Sequence, residues 1–143
     1  NQKINLKIKS SLRENLKIIF CFGETFLERK NKKTYQIINK QIKSAFKNVK
    51  VLKNIIFAYE PVWSIGTGKT PSVYELRKNT LNIKNFIKKY YKTKNEAKIL
   101  YGGSVDKNSI YNFKAIKELD GFLIGGASKS SKNFIDIIKN FYK

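Results

Sequence analysis

Apolar residues recur along this chain in two alternating periods. Ile4, Ile8, Leu12 and Leu16 stand at helical spacing through residues 1–16, and an apolar run over 17–22, Ile-Ile-Phe-Cys-Phe after Lys17, reads as a strand buried on both faces. Ile38, Ile42, Ala45, Phe46 and Val49 mark one face of a second helix over 34–49, and residues 54–59 form a second buried strand. Ser72 and Glu75 have the spacing of a capping box, with Pro71 just before. They open a helix whose stripe is Val73, Leu76, Thr80, Ile83, Ile87 and Tyr90. A third strand follows at 97–102, a shorter helix near 106–117, a fourth strand at 121–125, and a helix over 131–142 with Phe134, Ile137, Ile138 and Phe141 aligned. Helix and strand alternating four times predict one α/β domain over 1–143, a parallel sheet with right-handed crossovers. An open doubly wound sheet and a piece of a (β/α)8 barrel both fit this periodicity.

Composition narrows the chemistry. The 143 residues suffice for one ordinary core, and neither a run of about 18 apolar residues nor a signal-peptide layout is present, so a soluble cytoplasmic protein is expected. Cys21 is the one cysteine; it excludes an internal disulfide and, inside its apolar run, reads as a buried structural thiol. Histidine is absent, so no imidazole in this chain serves as acid, base or metal ligand, and no metal site is expected. The chain lacks methionine and begins at Asn1, from which a missing N-terminal portion is expected. The formal charge of +20 comes from 30 basic and 10 acidic residues. Only Arg13, Arg29 and Arg77 are arginines, and lysines are scattered over nearly every predicted helix. That distribution reads as a solvated surface whose field draws small anions, not as a nucleic-acid reader.

The loops at the carboxyl ends of the strands carry the chemistry of such folds. Gly68-Lys69-Thr70 ends like a phosphate-binding P-loop, but Trp63 stands where the first glycine of that motif belongs. What remains is Glu60 at a strand end, a Pro61-Val62-Trp63 corner and a glycine-bearing loop: a catalytic acid or base beside a mobile lid. The loops at 102–105 and 125–130 each begin with a glycine pair. Together with the lid they offer backbone N–H groups that can approach one anion.

Four stretches, Cys-Phe-Gly-Glu-Thr (21–25), Ala-Tyr-Glu-Pro-Val-Trp-Ser-Ile-Gly-Thr-Gly-Lys-Thr (58–70), Tyr-Gly-Gly-Ser-Val (101–105) and Asp-Gly-Phe-Leu-Ile-Gly-Gly-Ala-Ser (120–128), resemble the triosephosphate isomerase family in order and interval. The resemblance extends over essentially the whole chain and implies an incomplete (β/α)8 TIM barrel, strands five to eight with the helix before them. It implies that Glu60 is the base that moves a proton between neighbouring carbons of dihydroxyacetone phosphate and D-glyceraldehyde 3-phosphate, with no cofactor. A carboxylate removes a proton from carbon only where its hydration is weakened; Ile65 and Leu123 match the family's apolar neighbours of the base. Gly66, Ser104, Gly125 and Gly126 match the phosphate cradle. The lid is residues 61–71, hinged at Pro61-Val62-Trp63 and at Lys69-Thr70-Pro71, and Tyr101 matches the residue that latches it. Lid closure keeps water from the enediolate, a device for which this family is itself a standing example. Glu24 resembles a carboxylate near the Trp63 hinge. Lys69 falls at the hinge and is not assigned to the ligand.

Two further catalytic side chains of the family, a lysine after the first strand and a histidine after the fourth, have no counterpart in this sequence. The 143-residue chain by itself is therefore expected to be inactive and to aggregate or self-associate; a complete enzyme is expected to be a homodimer acting on a small phosphorylated triose, without membrane or nucleic-acid partners. The alternative is a non-catalytic basic half-barrel that binds phosphorylated ligands or nucleic acid.

Overall fold

The computed structural model describes residues 2–50, 52–93 and 96–143; Asn1, at the head of the expected first helix, lies outside them. The order is α1 (Gln2–Arg13), β1 (Ile18–Phe22), α2 (Phe26–Lys30), α3 (Thr34–Ala45), β2 (Ile55–Tyr59), α4 (Val73–Tyr91), β3 (Lys98–Tyr101), α5 (Ser109–Phe113), β4 (Gly121–Phe122) and α6 (Ser131–Tyr142). Short 3-10 turns cover Val62–Ser64 and Gly126–Lys129. The strands pair in parallel in the order β1-β2-β3-β4, with Phe20 opposite Phe57 and Tyr59 opposite Tyr101. Every strand therefore ends on the same rim.

One face of the sheet packs on helices. Phe20 meets Phe46, just past α3, edge-on at 5.0 Å between ring centroids, and Phe57 lies 5.3 Å from Phe46. Ile38, Ile42, Leu76, Ile83 and Ile87 from α3 and α4 complete this layer, each essentially fully buried, a gain of about 1.5–3 kcal/mol per side chain. On the opposite face Ala58 of β2 is buried, but β1 is open. Ile19 is 49% exposed and Cys21 is exposed, so β1 is not the doubly buried strand expected from its apolar run. The reason is geometric: alternate residues of a strand point to opposite faces, and helices cover one of them. A sheet packed on helices along one side and left uncovered at β1 on the other fits the half-barrel alternative and not the doubly wound one.

Other expectations shift for local reasons. α1 ends at Arg13, so Leu16 lies beyond it and is exposed; Ile8 is buried and Leu12 packs against the core as expected, but Ile4 is exposed and Asn5 is buried instead, donating through Nδ2 to the carbonyls of Ala45 (2.7 Å) and Lys47 (3.0 Å) at the end of α3. In α4 the Ser72 hydroxyl caps the Glu75 N–H, but the Glu75 carboxylate turns to Arg29 instead of closing the capping box, and Val73 and Tyr90 stay exposed. α5 is confined to 109–113, because Asp106 holds the N–H groups of Asn108 and Ser109 in a turn before it. β4 keeps ladder geometry over only two residues. On α6, Ile137 alone is buried. α2 was not expected from periodicity; Thr25 and Glu28 cap its start reciprocally.

Candidate active site

Glu60 follows β2 at the carboxyl rim. Its N–H donates to the Phe22 carbonyl (2.7 Å), and the Gly102 N–H donates to the Tyr59 carbonyl (2.9 Å), so its backbone is stitched between β1 and β3. The carboxyl group lies across Gly102: a Cβ on that glycine would sit 2.7 Å from Glu60 Oε1. Only a residue without a side chain allows this approach. Glu60, Cys21, Gly23, Val62 and Ile65 share the wall of a cavity of about 270 Å³. Gly23 is braced from α3 by Gln41, whose side-chain amide donates to the Gly23 carbonyl and accepts from its N–H, both at 3.0 Å. Ile65 is thus brought to Glu60. Leu123 continues the β4 pairing through its N–H to the Tyr101 carbonyl (2.9 Å) and does not line that cavity.

The Pro61-Val62-Trp63 corner, expected to be the first hinge, is anchored on a buried acid. Glu24 has no exposed surface. It accepts from Trp63 Nε1 (3.0 Å) and from the Tyr59 hydroxyl (3.1 Å), and its carbonyl accepts the Val62 N–H (2.9 Å). Burial raises its pKa above the ordinary carboxylate value, an effect only partly opposed by these donors. Asn79 of α4 donates to the Tyr59 hydroxyl (3.0 Å), which fixes that hydroxyl as a donor towards Glu24. Outside this pocket the Arg29 guanidinium stacks 4.4 Å from the Trp63 ring and pairs with both oxygens of Glu75 at 2.7 and 2.8 Å. Pro61, also buried, takes the Ser64 N–H on its carbonyl (2.8 Å).

The other end of the 61–71 loop, expected to be the second hinge, is bonded to Ser64. Its hydroxyl donates to the Lys69 carbonyl (2.6 Å) and sits 2.8 Å from the Tyr101 hydroxyl. The expected latch, Tyr101, therefore reaches the lid through Ser64. Ser104 serves the lid as well: its hydroxyl donates to the Ser64 carbonyl (2.5 Å) and accepts from the Gly68 N–H (3.1 Å), while its own N–H points to the Ser64 carbonyl (3.0 Å). In this arrangement the Ser104 donors are committed to the lid and not to a free anion subsite. Gly66, Gly125 and Gly126 are exposed, and a Cβ on any of them would meet nothing within 4 Å. Lys69 and Thr70 are exposed. Cys21, expected to be buried, lies at the rim with its thiol pushed up to about 11 by burial and by the Glu60 carboxylate.

Sequence reading missed Ser64, Tyr59, Asn79, Gln41 and the Arg29–Glu75 pair. The Thr-x-x-Glu at 25–28 was the available signal for α2, which carries Arg29. No local signal marks Ser64, because its partner Tyr101 is 37 positions away.

A parallel sheet with helices on one face, alternating strand and helix along the chain, and a carboxylate and glycine-bearing loops at the carboxyl ends of its strands is the architecture of part of a (β/α)-barrel. The family model for triosephosphate isomerase matches residues 1–141, and the chain belongs to that family. Among curated relatives, the triosephosphate isomerase of Thermodesulfovibrio yellowstonii is 42% identical over 137 residues, 95% of this chain and 56% of that protein. Those of Alkaliphilus oremlandii and Mycoplasma mobile are 38% and 40% identical, with 96% and 95% of this chain matched to 57% and 54% of theirs. The chain spans a little over half the length of the curated relatives it matches.

Proposed function

We propose that these residues supply the base, the lid and the phosphate-facing loops of a triosephosphate isomerase, interconverting dihydroxyacetone phosphate and D-glyceraldehyde 3-phosphate. The observation that carries this reading is the Glu60 carboxylate lying across Gly102, at the rim, beside a lid hinged on Trp63 and Ser64. Glu60 takes a proton from the carbon beside the substrate carbonyl and returns it to the neighbouring carbon. Ile65, from the lid, keeps water from the carboxylate when the lid is down. The amides of Gly66, Gly125 and Gly126 receive the phosphate once the lid moves to include them, and Ser104 joins them by exchanging its Ser64 bond for the ligand.

Developing charge on the substrate oxygen needs a donor, and no histidine exists among the 143 residues. Loss of such stabilisation is worth about 10²–10³ in rate. The donor and the family's lysine therefore come from outside these residues, and the isolated chain is inactive. The same reading makes the complete assembly a homodimeric, cytoplasmic enzyme of glycolysis and gluconeogenesis. Among the described residues no helix is long and apolar enough to cross a membrane.

The test mixes the 143-residue chain with the part of the Thermodesulfovibrio yellowstonii protein that it does not match, and assays triose phosphate interconversion. Turnover is expected in the mixture and not from the chain alone, and Glu60→Gln abolishes it. Robust turnover by the chain alone refutes its inactivity; turnover that survives Glu60→Gln refutes the base.

A further inference from the structure

Lysines that look scattered in the sequence are gathered by the fold on the rim opposite Glu60. Lys17 immediately precedes β1, Lys53 precedes β2 and Lys98 opens β3; Arg13, Lys50 and Lys92 lie at or just after the carboxyl ends of α1, α3 and α4. Because the strands are parallel, all of these positions fall at the amino-end rim. Two grooves open there. One, about 760 Å³, is lined by Lys9, Arg13, Lys50 and Lys53 beside the apolar Leu6, Leu12 and Val49. The other, about 620 Å³, shares Lys50, Lys53 and Asn54 with the first and adds Lys17, Lys92 and Lys98.

The charge balance is one-sided. Among the described residues, seven cations line the two grooves against one carboxylate, Glu96, which itself stands 3.9 Å from Lys84. None of the seven forms an ion pair among the described residues. The carboxyl ends of α1, α3 and α4 each bring roughly half a negative charge to this rim, together a small fraction of the excess. Each groove alone has the volume of a small-ligand site, about 300–1,000 Å³, yet the cations are distributed over both instead of converging on one point. That distribution suits a chain of phosphates more than a single one, since each phosphate neutralised adds its own counterion release. Lysines, which bind phosphate as point charges without bidentate base recognition, favour contacts independent of sequence. The half-buried ring of Tyr91 in the second groove offers a surface for base stacking.

We propose that this amino-end rim is a binding surface for single-stranded nucleic acid, held through its phosphodiester backbone across the two grooves. It lies on the opposite side of the sheet from the carboxyl rim and is independent of the isomerase reading.

The test is fluorescence anisotropy of a labelled oligouridylate and a labelled oligothymidylate with the 143-residue chain, titrated from about 50 to about 200 mM salt. Both oligonucleotides are expected to bind, with log K falling linearly in log salt. Lys50→Glu/Lys53→Glu weakens binding by about tenfold or more and shallows the slope by about 1.4, roughly 0.7 per lost phosphate contact on a single strand. Lys50→Ala/Lys53→Ala gives the same slope change with a smaller loss of affinity, and far-UV circular dichroism reports whether each variant keeps its fold. Lys132→Glu/Lys139→Glu, on exposed positions of α6, changes net charge equally and is expected to leave affinity within about twofold. Equal weakening by the groove pair and the α6 pair overturns the proposal, as does binding to phosphatidylserine vesicles with none to either oligonucleotide.

Discussion

The hydroxyl of Ser64 lies 2.8 Å from that of Tyr101, and both residues are wholly buried. A hydroxyl has one proton to give and two lone pairs. Ser64 gives its proton to the Lys69 carbonyl and has the Tyr101 hydroxyl and the Ser104 N–H as donors towards it. One small side chain thus joins the two ends of the 61–71 loop to each other and to the loop after β3.

Ser64→Ala removes that junction and leaves buried partners unpaired, a cost of about 1–3 kcal/mol. The expected outcome is a lower denaturant midpoint and faster proteolytic cleavage between residues 65 and 70. Tyr101→Phe removes one of the same bonds, so the double variant should lose less than the sum of the two single losses, by about 0.5–3 kcal/mol. Additive losses would show that the two hydroxyls do not act together.

Glu24 makes the anchoring of the Val62-Trp63 turn sensitive to pH. Its pKa is raised in the folded chain, chiefly by burial, so folding favours its protonated form. The associated stability is fully present below the unfolded carboxylate value of about 4.3 and is lost as pH rises through the raised folded value. Glu24→Gln, which stays neutral, should remove this part of the pH profile. Denaturation curves from pH 4 upwards, followed by the fluorescence of the lone Trp63 that bonds Glu24, should therefore fall in stability more steeply for the parent than for the variant. Parallel profiles would place the pH dependence elsewhere.

Cys21 is exposed yet should react slowly. With its thiol pushed up to about 11 from an ordinary 9.0, the thiolate fraction near neutral pH is lower by roughly 100-fold than for a free cysteine, one pKa unit being tenfold. Alkylation rates measured against pH should report this elevated value. Glu60→Gln removes a neighbouring negative charge and should accelerate the reaction; an unchanged rate would mean that burial alone controls the thiol.

The long elements were legible because each presents one continuous apolar stripe: all five residues expected to face inward from the 34–49 segment are buried. β1 was legible as a strand but not in its burial, since an apolar run has the same appearance whether one face or both are covered, and Ile19 and Cys21 lie on the uncovered one. In α1 the stripe was legible at Ile8 and Leu12 but not at Ile4, since the polar Asn5 turns inward in its place to cap the end of α3, a contact set by tertiary structure. At the site, Glu60 and the glycine loops stood out as strand-end residues with small neighbours. Ser64 and the Arg29–Glu75 pair did not, because each is defined by a partner more than 30 positions away.

Gly102 makes the sharpest test of the base. A methyl group at that position would sit 2.6 Å from Cγ and 2.7 Å from Oε1 of Glu60, well inside van der Waals contact. The obstruction is a flexible side chain rather than backbone, so Gly102→Ala should displace the carboxylate at small cost in stability. A shift of about 1 Å in a catalytic group can lower the rate by about 10²-fold. On the proposed reading of Glu60 as base and the glycine loops as phosphate ligands, kcat of the reconstituted assembly should therefore fall by that order while KM changes little. Denaturant unfolding of Gly102→Ala should stay close to that of the parent, which separates misplacement of Glu60 from general damage. Full turnover in a folded Gly102→Ala assembly would mean that the carboxylate does not act from the position it occupies across Gly102.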